Sequence, residues 1–562
     1  MPEPASSGPA TTGIDVTARL RAGLPATSPS AEGDSRSDLP ITPAATAVTA
    51  FIGRTLKGPV NEAVRITSFS QFQQQFGGLW QPSTLSYAVE QYFENGGEDA
   101  VVVRVASSGR PPTLDLPAGD DCLTLTGLCP GSREYLRASV DYDGIYGADI
   151  DSFNLVVQRV RNPGSELVEE QEIFRRLSIA PDAPRAVATV LSTSRLVRVT
   201  GPQPRRRPDI SLPKDPRYVI GYVACNGDGD DGAPLSDYDI IGCEESRSGL
   251  FALQGGPSFN FLCIPPLAHD QDVGMSALVV AARFCRQQHA LLLVDPPRTW
   301  ESATAALAAV ERWPFHSQDA VMYYPRIDAF DRLRGRFETF GSGGAAAGMI
   351  ARADRVAPVW QATELQDALL RASLRPAVYV TDAERKLLAQ HGVNCLAAAR
   401  PVSDEQVPAR TLGGTAATNS DCRLLSARRL VLFICASIER GTRWVVLEHN
   451  NARVRGRAQA QVVALLEGLL AEHAFAPNEA GDAYFVICDE RVNGAAELTA
   501  GEFRMVYGFA ALRAGDVHAW LLTHRAGGST TRSVSVNRLA TVGQRVEIEI
   551  ETAILRRPFG AG

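Results

Sequence analysis

The sequence predicts a mixed α/β protein built of several units: a central α/β layer, a β-rich insertion ahead of it and an α+β carboxy-terminal unit. Three observations predict this. Apolar runs and helical stretches alternate between about 216 and 400, short alternating runs without long helices fill 108–215, and two amphipathic helices precede strand-like runs after 401. A chain of 562 residues exceeds one ordinary core, and the usual domain size gives roughly three or four packed units. With 45% hydrophobic and 21% charged residues, the composition is that of a soluble globular protein and argues against wholesale disorder.

Residues 1–44 are rich in Ser, Pro, Ala and Thr with little apolar periodicity, so they read as a flexible arm. The first part of the core, 45–107, follows. AVTAFIG is a buried strand, SFSQFQQQFGG a short helix stopped by glycine, SYAVEQYFENGG an amphipathic helix and DAVVVRV a second strand. The insertion, 108–215, carries FNLVVQRV and RLVRVTG, with the charged ELVEEQEIFRR between them. From 216 to 400 the strand-like runs FNFLCIP, HALLLVD, AVMYYP and PAVYVT alternate with the helical MSALVVAARFCRQQ, ATAALAAVERW and ELQDALLRAS, the pattern of parallel strands with crossover helices. The next unit, 401–530, has RLLSARRLVLFICASIERG as a helix, RWVVLEH as a strand, RAQAQVVALLEGLLAEHAF as a second helix, and YFVICDE, FRMVYGFAAL and HAWLLTH as strands. A carboxy-terminal arm, 531–562, contains the alternating QRVEIEIETAIL, which has no evident local partner and reads as a strand offered to another chain.

Several function classes are disfavoured. The net charge is −7 with no long basic block, which disfavours nucleic acid. No apolar run reaches the length of a membrane span, and MPEPASSGPATTG lacks the form of a secretory signal, so folding in the cytoplasm is expected. The ten cysteines are scattered without CxxC spacing and read as buried free thiols. Lysine stands only at Lys57, Lys214 and Lys386, and arginine supplies the rest of the positive charge.

Each motif carries a plain reading beside a chemical one. NGDGDDG at 226–232 resembles the start of a calcium loop, but Asp231 takes the place of its glycine, and an acidic surface turn is the plainer account. FGSGGAAAG at 340–348 lacks the Lys-Ser or Lys-Thr of a phosphate loop and GxGxxG spacing, so it reads as a turn with close backbone packing. GxSxG and HExxH are absent and the eight histidines are dispersed, so no catalytic residue, cofactor or metal site is assigned and the chain is read as no enzyme. Arg428, Arg429, Arg440 and Arg443 flank one carboxy-terminal helix, and Arg453, Arg455 and Arg457 lead into the next. They are either solvated helix ends or a basic face for an acidic partner.

Taken in order, the segments resemble the contractile tail sheath family of phage tails and phage-tail-like injection systems. TAVTAFIGRTLKGPVNEAVRITSFSQFQQQFGG and AVEQYFENGGEDAVVVRV are similar to its opening domain. GDGDDGAP with SDYDIIG, FNFLCIPP, LLLVDPP, GSGGAAAGMIARADRVAPVW, HGVNCL and PARTLGG follow, and ARRLVLFICASIERGTRWVVLEHNN, YFVICDE and AELTAGEFRMVYGFAAL complete the series across 45–525. There are departures: the Pro-Gly-Val-Tyr opening is missing, Pro408 stands for a tryptophan, the Leu-Trp after the Glu-Pro-Asn turn is replaced around Val454 and Arg455, and the tail beyond Thr530 is longer.

The resemblance implies a multidomain sheath fold with an outer insertion and an inner, tube-facing carboxy-terminal unit. It implies a structural subunit that polymerises around an inner tube and contracts to drive it through a target envelope. The partners it implies are further copies of the chain, the inner tube protein, and baseplate and cap proteins, with assembly in the bacterial cytoplasm and residence in a virion tail or injection particle. Nucleic acid and membrane insertion are not among them. Arg428, Arg429, Arg440, Arg443, Arg453, Arg455 and Arg457 become candidates to face the tube. An accessory paralogue that caps the sheath or joins it to the baseplate, and an α/β hydrolytic enzyme, stay as alternatives.

Overall fold

A computed structural model describes residues 39–146, 149–213, 220–361, 369–371, 373–397, 407–413, 421–513, 517–536 and 548–549. Most of the expected amino-terminal arm, and most of the expected helix ELQDALLRAS, lie outside these residues.

The chain enters a strand where its apolar residues run unbroken. β1 (Thr49–Gly53) is buried throughout, β2 (Ala63–Ile66) is a half-exposed edge, and β3 (Ala100–Arg104) is again fully buried. Between β2 and β3 lie α1 (Phe69–Phe76) and α2 (Thr84–Asn95). Side-chain oxygens of Ser68 and Ser83 accept the free amides at their starts, and Gly77 and Gly96 end them at positive φ, 90° and 113°, where a glycine costs least.

The insertion is antiparallel throughout. β4 (Thr113–Ala118), β5 (Asp121–Gly127), β6 (Tyr135–Asp141), β7 (Ser152–Val160), β8 (Val168–Ser178), β9 (Val197–Thr200) and β10 (Val223–Ala224) form two sheets, β4-β5-β9 and β10-β6-β7-β8. Leu114, Leu125, Val140, Phe153, Leu155 and Leu177 fill a core of their own. The charged ELVEEQEIFRR supplies most of edge strand β8, where glutamates guard an unpaired edge.

β11 (Phe261–Cys263), β12 (Leu291–Val294), β13 (Ala320–Tyr324) and, much later in the chain, the strand Val393–Cys395 extend the first sheet. After β13 the chain makes a small antiparallel sheet of β14 (Ile327–Asp331), β15 (Arg336–Phe340) and β16 (Leu374–Pro376), then β17 (Val393–Cys395) returns to the main sheet. The order β17-β13-β12-β11-β1-β3-β2 is parallel except for β2. Alternate residues feed opposite cores, as the period of two requires. Ile52, Leu262, Leu292 and Met322 face α3 (Met275–Gln287), α4 (Ala303–Val310) and, further along the chain, Leu388. Phe51, Phe261, Leu293 and Val321 face α1, α2 and α5 (Gly343–Ala353).

Two expectations change here. FGSGGAAAG runs from the end of β15 at Phe340 into α5, whose first half is its GGAAAG, and these glycines allow a close approach: a Cβ at Gly344 would lie 2.2 Å from the Ala88 carbonyl oxygen, and one at Gly348 2.3 Å from that of Tyr92. PAVYVT gives only Pro376 to a strand. Its Thr381 caps α6 (Asp382–Gln390) through a reciprocal bond with Glu384, so the run is a helix approach, and HGVNCL supplies the parallel strand instead.

The carboxy-terminal unit packs α7 (Leu425–Gly441) and α8 (Ala452–Ala471) on an antiparallel sheet of β18 (Tyr484–Ile487), β19 (Phe503–Phe509), β20 (His518–Arg525), β21 (Gly528–Val536) and β22 (Ile548–Glu549). Ile434, Ile438, Val462, Leu466, Met505 and Leu522 meet in its core, with the thiols of Cys435 and Cys488. RWVVLEH is not a strand: Arg443–Leu447 is a 3-10 turn, in which Val445 is buried and the Trp444 indole donates to Gln461 of α8 at 2.9 Å. Most of the expected strand QRVEIEIETAIL lies outside the described residues, and its described part, Ile548–Glu549, pairs with Ser535–Val536 of its own chain.

Candidate functional site

The seven arginines around α7 and α8 separate into two sets. Arg428 is buried and ion-paired with Asp319, a fully buried carboxylate at the start of β13 that also accepts from Arg286 Nε at 2.6 Å. Burial works against the Arg428 charge, and Asp319 more than offsets it, holding the guanidinium above its ordinary pKa. Arg429 is buried against Asp354 and donates to the Thr46 carbonyl at 3.2 Å. Arg455 is buried, with Glu490 at 2.6 Å and Asn450 Oδ1 at 3.1 Å. These three therefore do not belong to an outward basic face: a charge at these depths needs an internal partner, and each has one. Arg440, Arg443 and Arg453 are exposed, and Arg457 lies over the Trp444 ring at 5.3 Å. Exposed Leu447 stands in the same interhelical turn.

Two other places where chemistry could reside hold the chain's own groups. Ligands of open α/β sheets bind beyond the carboxyl ends of the strands, where the connection order reverses. Here that crevice lies beside β1 and β11. Asp295 accepts from Gly343 N at 2.7 Å, occupying the α5 amino terminus, while Thr84 donates to the Pro266 carbonyl. Burial pushes the Asp295 carboxyl up, against the Arg326 charge and the Gly343 amide. The remaining space, about 10 Å³, is that of roughly one water. Among the described residues, the nearest approach to a nucleophile and base is Ser529 Oγ to His524 Nδ1 at 2.6 Å. The other imidazole nitrogen meets Thr442 rather than a carboxylate, and burial lowers the His524 pKa to about 4, too weak a base to activate a serine at neutral pH.

The acidic turn is a clasp. Asp228 accepts from Thr113 N at 2.8 Å and its hydroxyl at 2.7 Å, and Asp231 does the same for Ser132 at 2.8 and 2.7 Å. Arg54, just past β1, donates to the Asp231 and Gly232 carbonyls at 3.0 and 2.9 Å. Both carboxylates tie the returning chain to the insertion. Among the described residues no three His, Cys, Asp or Glu side chains converge to hold a metal, and no helix is long and apolar enough to cross a membrane.

A doubly wound α/β layer that carries an antiparallel insertion after its third strand, and continues into a helix-backed antiparallel sheet, defines a multi-unit α/β architecture. The same fold is found in a solved sheath tail protein. The chain is similar to the sheath tail protein of Listeria innocua, with TM-score 0.55 and 11% identity, covering 87% of this chain and 97% of that one. It is also similar to a sheath tail protein of Desulfitobacterium hafniense (TM-score 0.48, 11% identity, 89% and 99% covered) and to the sheath of an extracellular contractile injection system in its contracted state (TM-score 0.48, 16% identity, 87% and 95% covered). No family model matches the chain, and no curated protein matches it in sequence.

Proposed function

We propose that this chain is a structural subunit of a contractile sheath, polymerising around an inner tube and driving it through a target envelope on contraction. The observation that carries the reading is the fold shared with the Listeria innocua sheath tail protein over 97% of that protein's length. The ordered run of sheath-like segments across 45–525 supports it from the sequence alone. A sheath needs heterologous contacts that do not close on themselves, so that one surface meets a different surface of the next copy. Its energy is stored at assembly and released by a rigid-body rearrangement, with no nucleotide consumed. The partners are other copies of the chain, an inner tube protein, and baseplate and cap proteins, and the particle is a phage tail or an injection machine assembled in the cytoplasm.

Arg440, Arg443 and Arg453 are the arginines proposed to face the tube, because they are exposed and cationic. The internal departures from the family pattern, at Pro408 and around Val454 and Arg455, favour a second reading, an accessory sheath paralogue that caps the polymer or joins it to the baseplate. Negative-stain imaging of the purified chain, alone and co-expressed with its tube protein, separates the two. Cylinders or stacked rings support the main sheath. Single short rings or monomers that bind only a sheath end support the accessory role, and a chain that stays monomeric in every combination refutes both.

A further inference from the structure

His524 on β20 is fully buried, and its neighbours fix where its proton sits. The Thr442 hydroxyl donates to the Ile438 carbonyl at 2.7 Å, which commits its only proton. The 2.8 Å contact between Thr442 Oγ1 and His524 Nε2 therefore places the imidazole proton on Nε2. Nδ1 is left as an acceptor, filled by the Ser529 hydroxyl at 2.6 Å. Ser529 lies on β21, directly opposite His524 in the ladder. Two residues on, Thr531 donates to Glu439 Oε2 at 2.8 Å, and that oxygen also meets His289 Nε2 at 2.9 Å, at the end of α3. From the remaining neighbours, Phe503 of β19 lies 6.2 Å from the imidazole, Glu439 favours its cation and Arg443 opposes it.

We propose that His524 is an acid-release latch for β21: neutral, it fits its buried site between Thr442 and the cross-strand Ser529 and holds the strand, and protonated at Nδ1, where the Ser529 hydroxyl turns to accept, it places a charge in a site closed to water and lets the strand open locally. The direction follows from linkage. Burial lowers the basicity of His524 from its ordinary 6.5 to about 4, so between those values the opened strand takes up a proton that the closed one refuses. The hold is complete above the ordinary value and is eroded as the pH falls toward 4. Glu439 acts later in the same direction. Burial raises its pKa, but the His289 and Thr531 bonds and the His289 charge more than reverse that, so its carboxylate stays ionised to below its ordinary value. The latch concerns the chain alone and stands whether or not the chain forms a sheath.

Hydrogen exchange of the full chain at pH 7.5 and 5.0, corrected for intrinsic exchange rates, tests it. Protection over Gly528–Val536 should fall about 30-fold more than over α8, the ratio set by proton uptake at pH 5 with those two values. His524→Asn should abolish this difference. Ser529→Ala, which keeps the imidazole and removes only the strand's bond, should lower β21 protection at pH 7.5 toward the acid value. Parallel loss in β21 and α8, a pH step that survives His524→Asn, or unchanged protection in Ser529→Ala would each overturn the latch.

Discussion

Asp319 shows how a buried charge is held. It is fully buried between Arg286, whose side chain is 63% exposed, and Arg428, whose side chain is 8% exposed. Removing the carboxylate strands the Arg428 guanidinium without its counter-ion, whereas removing Arg428 leaves Asp319 still bonded to Arg286. Breaking a buried pair from the side that leaves an unpartnered ion costs about 3–5 kcal/mol. Asp319→Ala is therefore expected to destabilise the chain by that amount in urea unfolding, and Arg428→Met by clearly less. Equal losses would show that Arg286 does not hold the carboxylate. The arginine charges themselves stand in the sequence, but their burial could not be read there. The partners of Arg428, Arg429 and Arg455 lie 109, 75 and 35 residues away, beyond any local pattern.

Helices α5 and α8 both contain glycine, for opposite reasons. On α5, Gly344 and Gly348 bring the backbone against α2, where a Cβ would come within 2.2 and 2.3 Å of carbonyl oxygens. On α8, a Cβ added at Gly468 would meet nothing within 4 Å, so this glycine carries only the entropic cost of its place in a helix. Gly348→Ala should lower the melting temperature by an amount equivalent to at least about 2 kcal/mol, as overpacking does. Gly468→Ala should raise it by the equivalent of about 0.5–1 kcal/mol. The two glycines look alike in sequence, and only the approach of α2 separates them. The parallel strands are readable because a strand covered on both faces is apolar without interruption. RWVVLEH and PAVYVT mislead because a short apolar run can equally serve a 3-10 turn or the approach to a helix cap, and periodicity over so few residues does not distinguish them.

The molecule joins its units through fixed polar contacts: the acidic turn clasps the insertion to the first part of the core, and Asp319 and Asp354 pin α7 to the central layer. A body tied in this way can only present outward the charges that its own carboxylates do not consume, which narrows the proposed tube contact to Arg440, Arg443 and Arg453. Each exposed ion pair contributes only about 0.2–1 kcal/mol, and screening at physiological salt acts over about 8 Å, so such a contact is weak per subunit and gains strength only by repetition along a polymer. Reversing all three charges to glutamate should therefore leave the melting temperature within about 1–2 °C of the parent, since no buried partner is lost, yet abolish co-sedimentation with the tube protein at 150 mM salt, roughly the physiological range. Raising the salt several-fold should release the unaltered chain from the tube as well. Arg455→Glu should behave in the opposite way, lowering the melting temperature because it replaces a buried, paired guanidinium with a second carboxylate beside Glu490. If the triple reversal left tube binding and its salt dependence unchanged, the tube would have to meet some other surface of the chain.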